Sequence, residues 1–255
     1  MYWLEVVGSR TTLFIGEIGR VAELFGQTVK WIFRLPIRLS GILKQLEEVG
    51  VNSVPVVLIT ALSTGMVLAF QSFNGFKRFN AESLVGTVVA LSVTRELGPV
   101  LTGLIVAGRA GAAMAAELGT MRVTEQIDAL VTMAVNPIKY LIVPRVIAGM
   151  IMLPVLTVFS DMIGMAGGYF IAVKVLGVNP TIYLRRTMDY LELDDIFGGL
   201  LKAFIFGIII ATISCYKGFN TQGGAEGVGR ATTGAVVISS ILILLSDYFL
   251  TAMLF

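Results

Sequence analysis

Histidine is absent from all 255 residues, cysteine occurs once, and charged residues make up only 14% of the chain. Each scarcity excludes something. Without histidine there is no Ser-His-Asp triad, no HExxH zinc site and no imidazole ligand for haem. A lone Cys215 can form neither an intrachain disulfide nor a cysteine-cluster metal site. Soluble domains carry about 25% charged residues to face water. A chain that is 56% hydrophobic and well short of that share needs lipid as its outer solvent. The formal net charge of +2 gives no reason to expect nucleic acid as a partner. The crowded glycines GGAEGVGR (223–230) lack a following Lys-Ser/Thr, so there is no Walker site, and no G-x-S-x-G nucleophile elbow occurs. No catalytic residue and no metal ligand set stands out.

What is present begins with a basic, amphipathic N-terminal region, residues 1–50. Leu13, Phe14, Ile18, Val21, Leu24, Phe25, Ile32, Phe33 and Leu35 recur at helical spacing among Arg10, Arg20, Lys30, Arg34, Arg38 and Lys44, with Trp3 and Trp31. Such a stretch is what lies flat in a membrane interface, the alternative being an ordinary amphipathic helix packed on protein. Glu5, Arg10 and Glu17 interrupt every apolar run, so it does not read as a cleavable signal.

Residues 51–255 form a second unit. Five stretches, roughly 51–73, 84–107, 140–173, 196–216 and 231–254, are long and apolar enough to cross about 30 Å of hydrocarbon. The third is over-long and must tilt, kink or project; Pro144, Pro154, Gly164, Gly167 and Gly168 offer places for that. Glycine-rich segments 108–130 and 217–234 read as connections. With the N-terminus inside, twelve Lys/Arg (10, 20, 30, 34, 38, 44, 109, 122, 139, 145, 217, 230) face the cytoplasm. Five (77, 78, 174, 185, 186) lie outside, and Arg95 and Lys202 fall within spans. The C-terminal Phe255 is then periplasmic.

Charges inside apolar runs are the most informative local feature. Arg95 and Glu96 interrupt the second span, Lys202 the fourth and Asp247 the fifth, with Asp161 in the third. A central charge costs about 2.5–3.5 kcal/mol on insertion scales, so exposure to lipid is disfavoured. Two cations and two anions balance around either a polar cavity or a set of ion pairs that fix helix packing. Gly98, Gly103, Gly108, Gly111 and Gly119, with alanines between, permit close helix contact, static or sliding.

Between the second and third spans, within about 117–137, Thr124 is a plausible N-cap. Glu125 and Gln126 occupy the first turn, and Ile127, Leu130 and Val131 form an apolar stripe that Asn136-Pro137 ends. This predicts a short amphipathic helix able to dock in a partner's groove.

The run RELGPVLTGLIVAGRAGAAMAAELGTMRVTEQIDAL (95–130) resembles the signature of the MlaE family of ABC-transporter permeases. That family includes the maintenance-of-lipid-asymmetry permease, its mycobacterial relatives and the chloroplast lipid-import permease. The element E-x-G followed by E-Q-x-D-A-L stands here as Glu117, Gly119, Glu125, Gln126, Asp128, Ala129 and Leu130. The resemblance implies an all-α, inner-membrane permease acting as a homodimer. Each copy would have an N-terminal interfacial helix, five spans and a cytoplasmic coupling helix, formed by the region of Glu117, Gly119, Glu125, Gln126, Asp128 and Leu130, that sits against a separate ABC ATPase. ATP and Mg belong to that ATPase, and this chain carries no cofactor. Other implied partners are a STAS-domain protein and a periplasmic MCE hexamer. The cargo is phospholipid, in a cavity to which Gln71, Arg95, Glu96, Lys202 and Asp247 correspond. The alternative from the residues alone is an ion-coupled secondary transporter of an amphipathic substrate, whose inverted repeats are not evident.

Overall fold

The computed structural model describes residues 2–34 and 39–254, with side chains at Thr12 and from Ile15 onward. Of the residues named above, Leu35, Arg38 and Phe255 lie outside the described residues, as do the side chains of Trp3, Glu5, Arg10, Leu13 and Phe14. Every regular element among the described residues is a helix, and five helical stretches are long and apolar enough to cross a membrane.

The first helix, α1 (Tyr2–Ile32), buries Leu24 and Thr28 and leaves Ile18, Phe25 and Val29 exposed. Two polar contacts hold it to the far end of the fourth span: Arg20 Nε donates to Tyr216 Oη at 3.3 Å, and Glu17 lies 3.7 Å from Lys217. A second helix, α2 (Leu39–Val49), joins α3 (Val54–Lys77) through the turn Val51–Ser53, and together they make the first stretch, Leu39–Lys77.

The second stretch, α4, runs from Glu82 to Val123. Its 42 residues extend about 63 Å at 1.5 Å per residue, twice the hydrocarbon thickness. Residues 108–123, expected to be part of a glycine-rich connection, are therefore helix. Alanine separates the glycines there, and small side chains in such a segment serve helix contact rather than turns. Two π-helical turns, Val93–Leu97 and Ala107–Gly111, interrupt α4. The second places Arg109 to clamp α2, with Nε donating to Ser53 Oγ at 2.9 Å and the guanidinium meeting the Glu48 carbonyl.

The helix expected after Thr124 is present as α5 (Gln126–Thr132), but its start differs. Thr124 ends α4 instead of capping α5, with its hydroxyl donating to the Thr120 carbonyl. The reversal is made by Glu125, in the left-handed region at φ 60°, a conformation uncommon for a non-glycine residue. Ile127 is buried and Leu130 partly so, whereas Val131 faces outward, so the apolar stripe is narrower than its spacing implied.

The third stretch, α6 (Ile138–Val175), continues through Pro154 and carries π turns at both ends. Asn179 caps α7 (Pro180–Tyr190), its side chain accepting the N–H groups of Thr181 and Ile182, with Pro180 in the first turn. Tyr183 of α7 packs edge-on against Tyr169 at 5.5 Å. Burial pushes its phenol up to about 12, so it stays neutral at any physiological pH. The last two helices are α8 (Leu193–Phe219) and α9 (Gly224–Leu254).

Burial ranks the spans. In their most apolar windows α6 is 61% and α8 56% buried, against 28% for the first stretch and 11% for α9. The middle pair forms the core, and α3 and α9 flank it. Gly149 of α6 and Gly207 of α8 bring their backbones into direct contact, and Gly65 of α3 meets the Gly164 backbone of α6 the same way. No side chain fits at either crossing.

Candidate functional site

Three of the charges read from the spans, Glu96, Lys202 and Asp247, meet at one place, and local chain chemistry explains how. Arg95 and Glu96 occupy the π turn Val93–Leu97 of α4, followed by Gly98-Pro99. In an α-helix the Arg95 carbonyl would accept from residue 99, which as proline has no N–H. That carbonyl instead accepts Lys202 Nζ from α8 at 2.9 Å. The N–H missing at Pro99 thus leaves the Arg95 carbonyl open to a cation, beside a π turn of the kind that often marks functional positions.

Lys202 has no exposed surface. Its ammonium lies 2.9 Å from Glu96 Oε2, 3.1 Å from Asp247 Oδ1 of α9, and 2.7 Å from Thr251 Oγ1, one helical turn beyond Asp247. Thr251 in turn donates to Glu96 Oε1 at 3.0 Å. The cluster is not sealed. Glu96 is 37% exposed and Asp247 19%, so one buried cation holds two carboxylates at the rim of the bundle. Three helices are tied by one amine, and a net negative charge faces outward.

The Arg95 side chain reaches a further carboxylate. It pairs with Asp195, at 2.7 Å from Nε and 2.6 Å from Nη2. Asp195 was not singled out in the sequence because, three residues after Glu192, it reads as an ordinary helix-start acid. It serves as one too: the Glu192 N–H donates to Asp195 Oδ2 at 3.1 Å, completing a capping box. Asp195→Ala therefore removes a cap and an ion pair together, and is expected to lower the melting temperature in detergent more than Asp195→Asn, which keeps an acceptor for the cap. Equal losses in the two variants would contradict the double role.

Gln71 stands on the exposed face of α3 and makes no hydrogen bond to the four charges. Asp161 is buried on α6 against Gly98, with no hydrogen-bond partner for Oδ1. It touches the base of the π turn rather than Lys202.

At the other end of the bundle, the motif residues split into two groups. Glu117 accepts from buried Arg145 of α6 at 2.6 Å, and Gly119 packs against Thr221 and Val228 around the α8–α9 turn. Leu130 lies against the core. These residues position the loop. Glu125, Gln126 and Asp128 are exposed and form its outer surface. Gln126 Nε2 donates to Thr124 Oγ1 at 3.0 Å, and Asp128 pairs with Arg122 at 2.6 Å, which braces α5 against the end of α4.

With this geometry in view, the comparisons are decisive. The family model described as Permease MlaE matches residues 42–253. The chain belongs to the MlaE permease family. A probable ABC transporter permease protein of Rickettsia typhi is 53% identical over 251 residues, covering 98% of this chain and 97% of that one. A probable ABC transporter permease protein of Synechocystis is 46% identical over 250 residues, covering 97% and 95%. The protein Trigalactosyldiacylglycerol 1, chloroplastic, of Arabidopsis thaliana is 42% identical over 235 residues, covering 92% of this chain and 67% of that one. This MlaE-family chain is a multi-pass membrane permease of an ABC transporter, a class that works with an ATPase partner. The ion-gradient alternative falls away with that assignment.

Proposed function

We propose that this MlaE-family permease moves glycerophospholipid between the inner membrane and a periplasmic MCE partner, driven by ATP and Mg at a separate ATPase. The observation that carries the reading is the Lys202 cluster, a buried cation presenting the exposed faces of Glu96 and Asp247 at the edge of a lipid-facing bundle. Polar groups so placed suit the head group of an amphipathic cargo whose chains lie along α3 and α9, the least buried spans. A relative whose name contains that of a diacylglycerol lipid supports a lipid cargo.

In this reading the chain acts as a homodimer with the lipid cavity between protomers, and Gln71 on α3 belongs to its wall. The N-terminus is cytoplasmic, the C-terminus periplasmic, and α1 lies in the interface with its exposed Ile18, Phe25 and Val29 toward lipid. A STAS-domain protein completes the cytoplasmic assembly. Helix α5 is the coupling element. Closure of the ATPase pair presses on Glu125, Gln126 and Asp128. Because Glu117–Arg145 and the Gly119 contact hold the loop to α6 and the α8–α9 turn, that push reaches the spans.

Two measurements on the assembled complex in liposomes test this. Labelled phospholipid should move in an ATP-dependent manner and stimulate ATP hydrolysis; absence of both would end the proposal. Glu125→Lys, at an exposed residue with no side-chain hydrogen bond or ion pair among the described residues to lose, should preserve hydrolysis while cutting transport several-fold. Unchanged transport per ATP in a fully assembled variant would remove α5 from the coupling path.

A further inference from the structure

A cavity of about 380 Å³ lies at the α5 end of the bundle, well away from the Lys202 cluster. That volume falls in the range of small-ligand sites. Its walls come from four elements: Trp31 of α1, Lys44 and Gln45 of α2, Glu117 of α4, and Lys139 and Arg145 of α6. Three cations thus face one carboxylate, and the carboxylate is already held by Arg145.

Neither Lys44 nor Lys139 has an ion-pair partner among the described residues. Lys139 Nζ sits 5.4 Å over the Trp31 ring instead, an arrangement that holds an ammonium without neutralising it. Arg145 is 3% exposed, and its Nε has no hydrogen-bond partner although the rest of the guanidinium is engaged. A concave site with surplus positive charge and an unused buried donor fits an anion able to accept several hydrogen bonds. A phosphate does this.

The flanking surface identifies the source. Phe33, just past the end of the helix that supplies Trp31, and Leu39 and Leu43, on the helix that supplies Lys44, are exposed by 82%, 73% and 64%. A soluble phosphate compound has no use for that apolar rim, whereas acyl chains do. We infer that this cavity binds the phosphate of an anionic membrane lipid, as a site separate from the transport cluster. There Lys44 and Lys139 meet the charge, Gln45 adds a neutral polar contact, and Trp31 stands at the head-group level where indoles collect. Through Arg145 and its partner Glu117, the bound lipid touches the same pair that anchors the α5 loop.

The sequence holds two tryptophans, so Trp3→Phe leaves Trp31 as a single reporter in the wall of the site. That variant of the full chain is reconstituted in phosphatidylcholine vesicles containing equal fractions of phosphatidylglycerol or phosphatidylcholine brominated near the head of the acyl chain. Brominated phosphatidylglycerol should quench Trp31 at several-fold lower content. Adding Lys44→Glu and Lys139→Glu should abolish the preference, and Lys44→Arg with Lys139→Arg should keep it. An equal charge change outside the cavity, Lys30→Glu with Arg230→Glu, should also leave it intact. Equal quenching by both lipids in the parent, preference surviving the paired glutamates, or loss of preference in the outside control would each overturn the site. Recovery of fluorescence on adding inorganic phosphate would overturn the lipid assignment in favour of a soluble anion. Because no transport is measured, failure here leaves the proposed lipid export or import untouched.

Discussion

Replacing Lys202 by methionine is expected to destabilise the folded chain by about 3–5 kcal/mol, because removing one partner of a buried network strands the others. Glu96 and Asp247 would then face each other with no cation between them, and the Arg95 carbonyl, already denied a donor by Pro99, would lose its acquired one. Chemical unfolding in detergent micelles measures the loss. The informative comparison is the neutral triple variant Glu96→Gln, Lys202→Met, Asp247→Asn. Replacing all partners of a buried charge network is often neutral or stabilising, so the triple should regain most of the stability. Lipid movement by that folded triple then separates two roles. A variant that folds like the parent and transports fully would make the cluster a packing device; one that folds and fails to transport supports a role toward the cargo.

Gly207→Val should be as damaging through a different cause. A Cβ at Gly207 would collide with the Gly149 carbonyl, and backbone of the neighbouring helix cannot swing aside as a flexible side chain could. Helices α6 and α8 must then separate, in the most buried part of the bundle. Overpacking costs about 1–3 kcal/mol and more where relief is blocked. The expected result is a sharp drop in folded protein recovered from membranes. Gly103→Ala is the contrast. Its Cβ would stand 3.4 Å or more from Phe206 and Ile243 side chains, an ordinary contact. Because alanine also favours helix by about 1 kcal/mol over glycine, that variant should be neutral or slightly stabilising. Equal yields from Gly207→Val and Gly103→Ala would refute the close crossing.

Much of this architecture was legible because lipid imposes simple demands. Length and apolarity gave five crossings, and the rule that charges in lipid must find company pointed at Glu96, Lys202 and Asp247 as one group. What was not legible depended on partners set by three-dimensional register. Arg95 was grouped with those charges, and its pairing with Asp195, a residue outside any apolar run, was not foreseen. Thr251 carried no signal beyond lying four residues after Asp247. The turn into α5 was misread because Glu125 takes a left-handed conformation that residue type does not advertise, leaving Thr124 as the more plausible cap. Gln71 entered only through family resemblance, and it is exposed with no hydrogen-bond partner among the described residues. One missed detail was within reach: a proline four residues after Arg95 announces an unclaimed carbonyl.

The position of Lys202 also bears on how the chain is made. Synthesis runs from the N-terminus, so the fourth crossing reaches the bilayer before the fifth, which carries Asp247. Glu96 and the spare Arg95 carbonyl are already there to receive the ammonium. The fourth crossing also has the highest mean hydropathy of the five, 2.3, which offsets its passenger. The early arrival of α4 makes α8 insertable, and α9 comes last to close a charge pair that was left open for it.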